Sequence, residues 1–320
     1  MGGISKEEVA LYDRQIRLWG MEAQRRLRSS SLCFIGVKAL TLEACKNLVL
    51  AGVGHITLCD GGTVTEDDLE VQYYFQPEDL GKPKDQVLAE RLKILNPLVD
   101  IQANSKLLEK PANLNKFDVV VDVGGKECSP IQLNGLCRAT KTTRFVAADS
   151  FGAFGYIFVD CLDKHEYMEE VKTIGDSEVA NSESKHHKVT AVYKPLEQSI
   201  IAKPDTTSVQ RLLRKYPPLV FICQTLVAEG SSLSAEVSTD KLEALVKSSL
   251  KARQLSDNIV NGDLLARVAR SWGTELVACA AVVGGTLSQE ILKIVTHKEI
   301  PVNNWYVYDG IKGDGITCLL

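Results

Sequence analysis

The sequence contains no Cys-x-x-Cys pair among its nine cysteines, which leaves a structural zinc site of the usual spacing without ligands. Cys33, Cys59 and Cys279 fall inside apolar runs and read as small buried hydrophobes of a reducing compartment. There is no surplus of basic charge. Thirty-seven Lys and Arg against 41 Asp and Glu give a formal charge of -4, so no face need be strongly basic and no nucleic-acid partner is expected. No apolar run approaches the ~20 residues of a membrane span, so no membrane association is expected either. Met1 to Glu7 carry no apolar signal core, and Lys6 departs from the myristoylation pattern that Met1-Gly2 would open. The cytosol or nucleus is the expected compartment. What is present is ordinary: 45% hydrophobic and 24% charged residues in 320, enough for one large domain or two smaller ones.

The most informative absence is local. Ser31 to Ile35 reads as a strand, about Leu40 to Ala51 as a helix, and His55 to Cys59 as a second strand, which together frame a βαβ unit. Asp60 closes the second strand 24 residues after Gly36, where an acid that binds a ribose belongs. In the turn Gly36-Val37-Lys38-Ala39-Leu40-Thr41, however, two of the three glycines of a G-x-G-x-x-G phosphate loop are replaced, by Lys38 and Thr41. The second glycine normally admits a phosphate to the backbone and the third lets helix and strand pack closely. The frame of a nucleotide-binding domain is there and its contact surface is not. A self-sufficient dinucleotide-dependent oxidoreductase would need those glycines.

Along the rest of the chain, Ser5-x-x-Glu8 is a capping box that starts a helix near Lys6. Val9, Tyr12, Ile16 and Trp19 then form one apolar face, and Gly20 breaks the helix before Met21 to Arg28. Arg14 and Arg17 lie off that face. Gly61 to Gln76 reads as irregular, Pro83 to Leu95 as a helix and Val99 to Ala103 as a short strand. Phe117 to Val123 reads as a strand buried on both faces, Pro130 to Thr140 as a helix, and Arg144 to Ala148 and Phe154 to Val159 as strands. Thr173 to Lys188 has few large apolar residues and reads as a mobile loop, with His186-His187 solvated rather than metal-bound. Ser208 to Ser271 is amphipathic and helical, broken at Pro217-Pro218 and Asn261-Gly262. Glu275 to Val295 is a long apolar helix whose Gly284-Gly285 pair implies a close approach, and Asn303 to Tyr308 and Gly315 to Leu319 are terminal strands.

Tyr12-Asp13-Arg14-Gln15-Ile16-Arg17-Leu18-Trp19-Gly20 resembles the N-terminal signature of the ubiquitin-like-protein activating enzymes. Leu48 to Gly54 followed by Thr57-Leu58-Cys59-Asp60, Cys279 to Gly285 with Gln289-Glu290-Ile291-Leu292-Lys293, and Asn303 to Gly310 fit the same family. The likeness covers about 5–160 and 270–320. Within the family the glycine-poor turn resembles the small, non-thiol-bearing branch that pairs in SUMO-activating heterodimers; the NEDD8 counterpart shares the first motif in a much longer chain.

The resemblance implies an α/β fold: a doubly wound, mostly parallel sheet of the Rossmann-like adenylation type with a helical insertion. The expected divisions are 1–160, 161–270 for loop and insertion, and 271–320. It also implies which residues to test. Asp60 and Lys84 match nucleotide-contacting positions. Asp68-Leu69-Glu70-Val71-Gln72-Tyr73 has lost the family's asparagines and phosphate-binding arginine; Gly124-Gly125 stand near the place of its magnesium-binding Asp, for which Asp122 comes too early. No catalytic-thiol motif occurs. No cofactor or metal site is therefore expected in this chain, with ATP and magnesium held by a larger catalytic partner, SUMO as the modifier and the nucleus as location. The one catalytic residue implied is Arg14, reaching in trans to the partner's ATP, with Arg17 in a structural ion pair and Trp19 a packing or interface anchor. Alternatives left open are the NEDD8 branch and a scaffold without catalytic contribution.

Overall fold

The computed structural model describes residues 5–124, 128–171, 185–204, 208–229, 233 and 237–320. Its first elements are three short helices, α1 (Lys6–Leu11), α2 (Asp13–Trp19) and α3 (Met21–Ser29), where the sequence predicts one break and the structure has two. The capping box is formed: Glu8 N donates to Ser5 Oγ and Ser5 N to the Glu8 carboxylate. Gly20 separates α2 from α3 as expected, with φ +87°, and the extra break falls at Tyr12 because its side chain turns into the core.

The alternation that follows is β1 (Ser31–Ile35), α4 (Ala39–Ala51), β2 (His55–Cys59), α5 (Glu66–Val71), α6 (Lys84–Leu95), β3 (Asp100–Ala103), β4 (Val119–Val123), α7 (Pro130–Thr140), β5 (Arg144–Phe151) and β6 (Phe154–Asp160). The segment read as irregular thus contains a helix, α5, capped by Thr65. Next come β7 (His165–Val171), β8 (Lys185–Ala191), α8 (Leu196–Ile201), α9 (Val209–Lys215), α10 (Pro218–Glu229), α11 (Thr239–Ala252), α12 (Gly262–Ser271), α13 (Val277–Thr296), β9 (Trp305–Asp309) and β10 (Asp314–Cys318). Lys185 to Lys188 belong to β8, paired with β7, rather than to a loop; His187 Nε2 lies 3.6 Å from Glu169 across the hairpin. Residues 172–184 of the predicted loop lie outside the described residues.

Eight strands form one sheet in the order β10-β9-β6-β5-β4-β1-β2-β3. β3, β2, β1, β4 and β5 are parallel, and β6, β9 and β10 are antiparallel. The period of two divides β1 between two cores: Leu32 and Phe34 face α3, α4, α6 and α13, while Cys33 and Ile35 face α7, α8 and α10 to α12. A strand covered on both sides has no polar face, and every residue of β4 is buried. The helices predicted between Ser208 and Ser271 stack on that second face, with α10 beginning at Pro218 and Asn261 capping α12. Eight of the nine cysteines are buried, and burial pushes the Cys137, Cys279 and Cys318 thiols up to about 12.

By length and composition α13 is long and apolar enough to cross a membrane, with mean hydropathy 1.3, contrary to the expectation that no run comes near that length. Protein atoms account for its apolarity, since Val283, Leu287, Ile291 and Ile294 pack into the core with α4 and the sheet. The glycine pair divides in role. A Cβ on Gly284 would meet Glu43 Cβ at 2.8 Å and Leu40 O at 3.0 Å, so this glycine lets α13 close on α4; a Cβ on Gly285 would meet nothing within 4 Å. Gly284→Ala should therefore cost about 1–3 kcal/mol through overpacking, whereas Gly285→Ala should gain up to about 1 kcal/mol in helix propensity. Thermal unfolding of the two variants checks this, and equal shifts of the midpoints would remove the close-packing argument.

Candidate functional site

In an open α/β sheet the natural binding crevice lies at the carboxyl ends of the strands where their order reverses, here between β1 and β4. A cleft of about 740 Å³ sits there, lined by Gly36 to Lys38, Asp60, Asp68, Lys84 and Thr274-Glu275 among others. The turn from β1 into α4 that should cradle a phosphate forms its floor.

Gly36 has φ +91°, and a Cβ there would stand 2.3 Å from Val123 O. The retained glycine answers to the close passage of β4. Lys38, at the second glycine position, folds its side chain inward. Its ammonium pairs with the Asp149 carboxylate at the end of β5 and lies 4.0 Å from Glu275 Oε1. Burial opposes that charge, but Asp149 and Glu275 outweigh it and hold the Lys38 pKa above its usual value. Thr41, at the third position, donates its hydroxyl back to Gly36 O at 2.7 Å. The first free amide of α4, Ala39 N, donates to Glu275 Oε2 at 2.8 Å. A helix N-terminus is a ready-made anion site, and this one already holds a carboxylate of its own chain. Burial raises the Glu275 pKa against the opposing pull of Lys38 and the Ala39 amide.

Asp60 stands where the sequence puts it, but both of its oxygens are engaged: Val37 N donates to one at 2.6 Å and Gly62 N to the other at 2.7 Å. Lys84 is also in place, with Nζ donating to Asp68 Oδ1 at 2.7 Å. Asp68 simultaneously caps α5 through Thr65 N at 2.9 Å. Asp122 is buried within β4, in register with Ile35, and is not among the residues lining the cleft. Gly124 adjoins the Lys38 side chain, and Gly125 lies outside the described residues. Around the cleft, five carboxylates (Asp60, Asp67, Asp68, Glu70 and Glu275) face two ammonium groups, each already paired. A polyphosphate brought here would meet a net negative wall.

Asp149 and Glu275 are the residues that motif reasoning does not reach. The available signal was an isolated acid directly after a buried strand run, in Asp149, and one just ahead of the long apolar helix, in Glu275. Arg14, the expected catalytic residue, does not line the cleft. It lies exposed on α2, with no ion pair or hydrogen bond to other described side chains. Arg17 is paired as expected, to Asp13 at 2.9 Å. Trp19 packs partly buried against the core beside Leu18, which is 81% exposed. Among the described residues no group of three or more His, Cys, Asp or Glu is arranged to hold a metal ion.

The sequence profile of the ThiF family matches residues 12–319. The chain is 32% identical over 337 aligned residues to SUMO-activating enzyme subunit 1 of Homo sapiens, an alignment covering 99% of this chain and 97% of that protein. Its identity to SUMO-activating enzyme subunit 1 of Danio rerio is 32% over 345 residues, covering 98% and 95% of the two chains. To the DNA damage tolerance protein RHC31 of Saccharomyces cerevisiae it is 29% identical over 335 residues, covering 97% and 96%. A doubly wound sheet with a crevice at its β1/β4 switch, matched from end to end by the family profile, makes this chain a member of the ThiF family.

Proposed function

We propose that this chain is the non-thioester-forming subunit of a SUMO-activating heterodimer. Its larger partner would hold ATP, magnesium and the thiol that receives the modifier, and this chain would contribute Arg14 to the partner's chemistry. The observation that carries the proposal is the filled phosphate cradle: Ala39 N is taken by Glu275, Lys38 by Asp149, both oxygens of Asp60 by backbone amides, and Lys84 by Asp68. End-to-end similarity to SUMO-activating enzyme subunit 1 supports the modifier and the pairing.

The reaction defines the need for an arginine. A modifier carboxylate attacks the α-phosphorus of ATP, the bond from that phosphorus to the bridging oxygen breaks, and pyrophosphate leaves with the electron pair. Charge grows on the departing group as it separates. A guanidinium supplied from a neighbouring subunit stays protonated at any physiological pH and matches phosphate oxygens with a planar fork. Arg14 meets the requirement by its exposure and by having no competing acid within ion-pair distance among the described residues, whereas Arg17 is already paired.

Two measurements test the proposal. In the reconstituted heterodimer, Arg14→Ala should lower the rate of SUMO-dependent ATP–pyrophosphate exchange by roughly 10²-fold, the scale of losing one transition-state donor, while assembly and unfolding temperature stay unchanged. Exchange at the wild-type rate would remove Arg14 from the mechanism. Calorimetric titration of the isolated chain with Mg·ATP should give no saturation below ~1 mM, a free energy no better than about -4 kcal/mol. Stoichiometric micromolar binding would overturn the idea that this chain's own pocket is closed to nucleotide.

A further inference from the structure

We infer that Tyr12, pressed against Gly52 and anchored by Asn96, is the positioning residue that aims Arg14. The inference rests on the role of Arg14 proposed above. From Ser5 to Trp19 only Tyr12 is fully buried, at 4% exposure, so it is the deepest anchor, or peg, of α1 and α2. Its backbone joins the two helices: Tyr12 N donates to Glu8 O at 3.0 Å, closing α1, and Tyr12 O accepts from Ile16 N at 2.9 Å, opening α2. Helical residues advance about 100° each, so Arg14, two positions on, points roughly opposite to Tyr12. The peg enters the core on one side of α2 and the free cation leaves from the other.

The socket is built from two distant segments. Gly52 closes α4 in the left-handed region at φ +85°, and a Cβ there would fall 2.5 Å from Tyr12 Cζ and Oη, so the ring rests on bare backbone. Asn96, at the end of α6 and 5% exposed, donates from Nδ2 to Tyr12 Oη at 2.7 Å and to Val49 O at 2.8 Å, while its Oδ1 accepts from Leu98 N at 3.2 Å. The amide is thereby fixed in orientation and the phenol with it. Glu8 to Arg28 at 2.7 Å holds α1 and Trp19 packs the far end of α2 against the core, so withdrawing the peg frees the start of α2, where Arg14 lies.

The test is a double-mutant cycle on ATP–pyrophosphate exchange in the reconstituted heterodimer, because a residue that acts only through Arg14 has nothing left to lose once Arg14 is gone. Tyr12→Ala should lower kcat by up to about 10²-fold, the scale of a misplaced catalytic group, with KM for SUMO unchanged. Tyr12→Phe, which keeps the ring and loses the Asn96 bond, should lower kcat by about 3-fold to 10-fold. Adding either change to Arg14→Ala should lower the rate less than about twofold further. Full multiplicative losses in the double variants would overturn the inference and leave the role of Arg14 standing. A wild-type rate for Arg14→Ala would instead overturn that role. Should Tyr12→Ala fail to assemble, the cycle with Tyr12→Phe decides the question on its own.

Discussion

A helix that begins at the carboxyl edge of a parallel sheet presents unpaired amides and a partial positive charge, and something negative has to meet them. In a nucleotide-binding unit that partner is a phosphate, and the site stays unfinished until the ligand arrives. Here Glu275 supplies the negative charge from within the chain, and its second oxygen looks towards the Lys38 ammonium. The cation is in turn neutralised by Asp149. These groups are mostly out of water, where an unpaired charge costs several kcal/mol, so none of the three can be withdrawn cheaply. The segment just ahead of α13, the β1–α4 turn and the end of β5 are thereby tied together in the absence of any ligand.

That constraint explains how a large cleft survives beside a cradle that is already occupied. The walls of the cleft are set by the sheet and by α5, which do not depend on a bound phosphate. Asp68 caps α5 and pairs with Lys84, which ties the lysine to that helix terminus. Asp60 likewise accepts from the amides of Val37 and Gly62 and so ties together the turns that follow β1 and β2. Asp60 and Lys84, which resemble nucleotide contacts, each have internal partners, and Asp68, the partner of Lys84, adds to the acidity of the surroundings.

Sequence alone carried the βαβ frame, because strands buried on both sides read as continuous apolar runs and α4 is bounded by a glycine at each end. It also carried the position of Asp60 and the substitution of two loop glycines. It did not carry Glu275 or Asp149, which lie 237 and 111 residues from Lys38 and belong to no periodic pattern. Only the closing of the sheet brings them together. The break at Tyr12 escaped for a related reason: spacing put Tyr12 on the same apolar stripe as Val9 and Ile16, and the pull of Gly52 and Asn96 on one ring is a tertiary effect that no local periodicity encodes. The β7–β8 hairpin was obscured because few of its positions are apolar and buried, Tyr167 and Ala191 among them, and most of the rest are polar.

Gly36 shows why counting loop glycines is an incomplete gauge of a phosphate site. Its φ of +91° and the 2.3 Å that would separate a Cβ from Val123 O make glycine necessary for β1 and β4 to lie side by side, with or without a ligand. The glycine that persists is the one the sheet requires. The two positions that differ are those at which nothing but a phosphate or a tighter helix–strand contact would demand glycine, and the side chains there now satisfy the turn itself, Thr41 through Gly36 O and Lys38 through Asp149. The turn is thus completed by its own side chains while the fold keeps the geometry of the βαβ frame. Arg14, exposed and without an ion-pair partner among the described residues, follows two positions after the buried tyrosine.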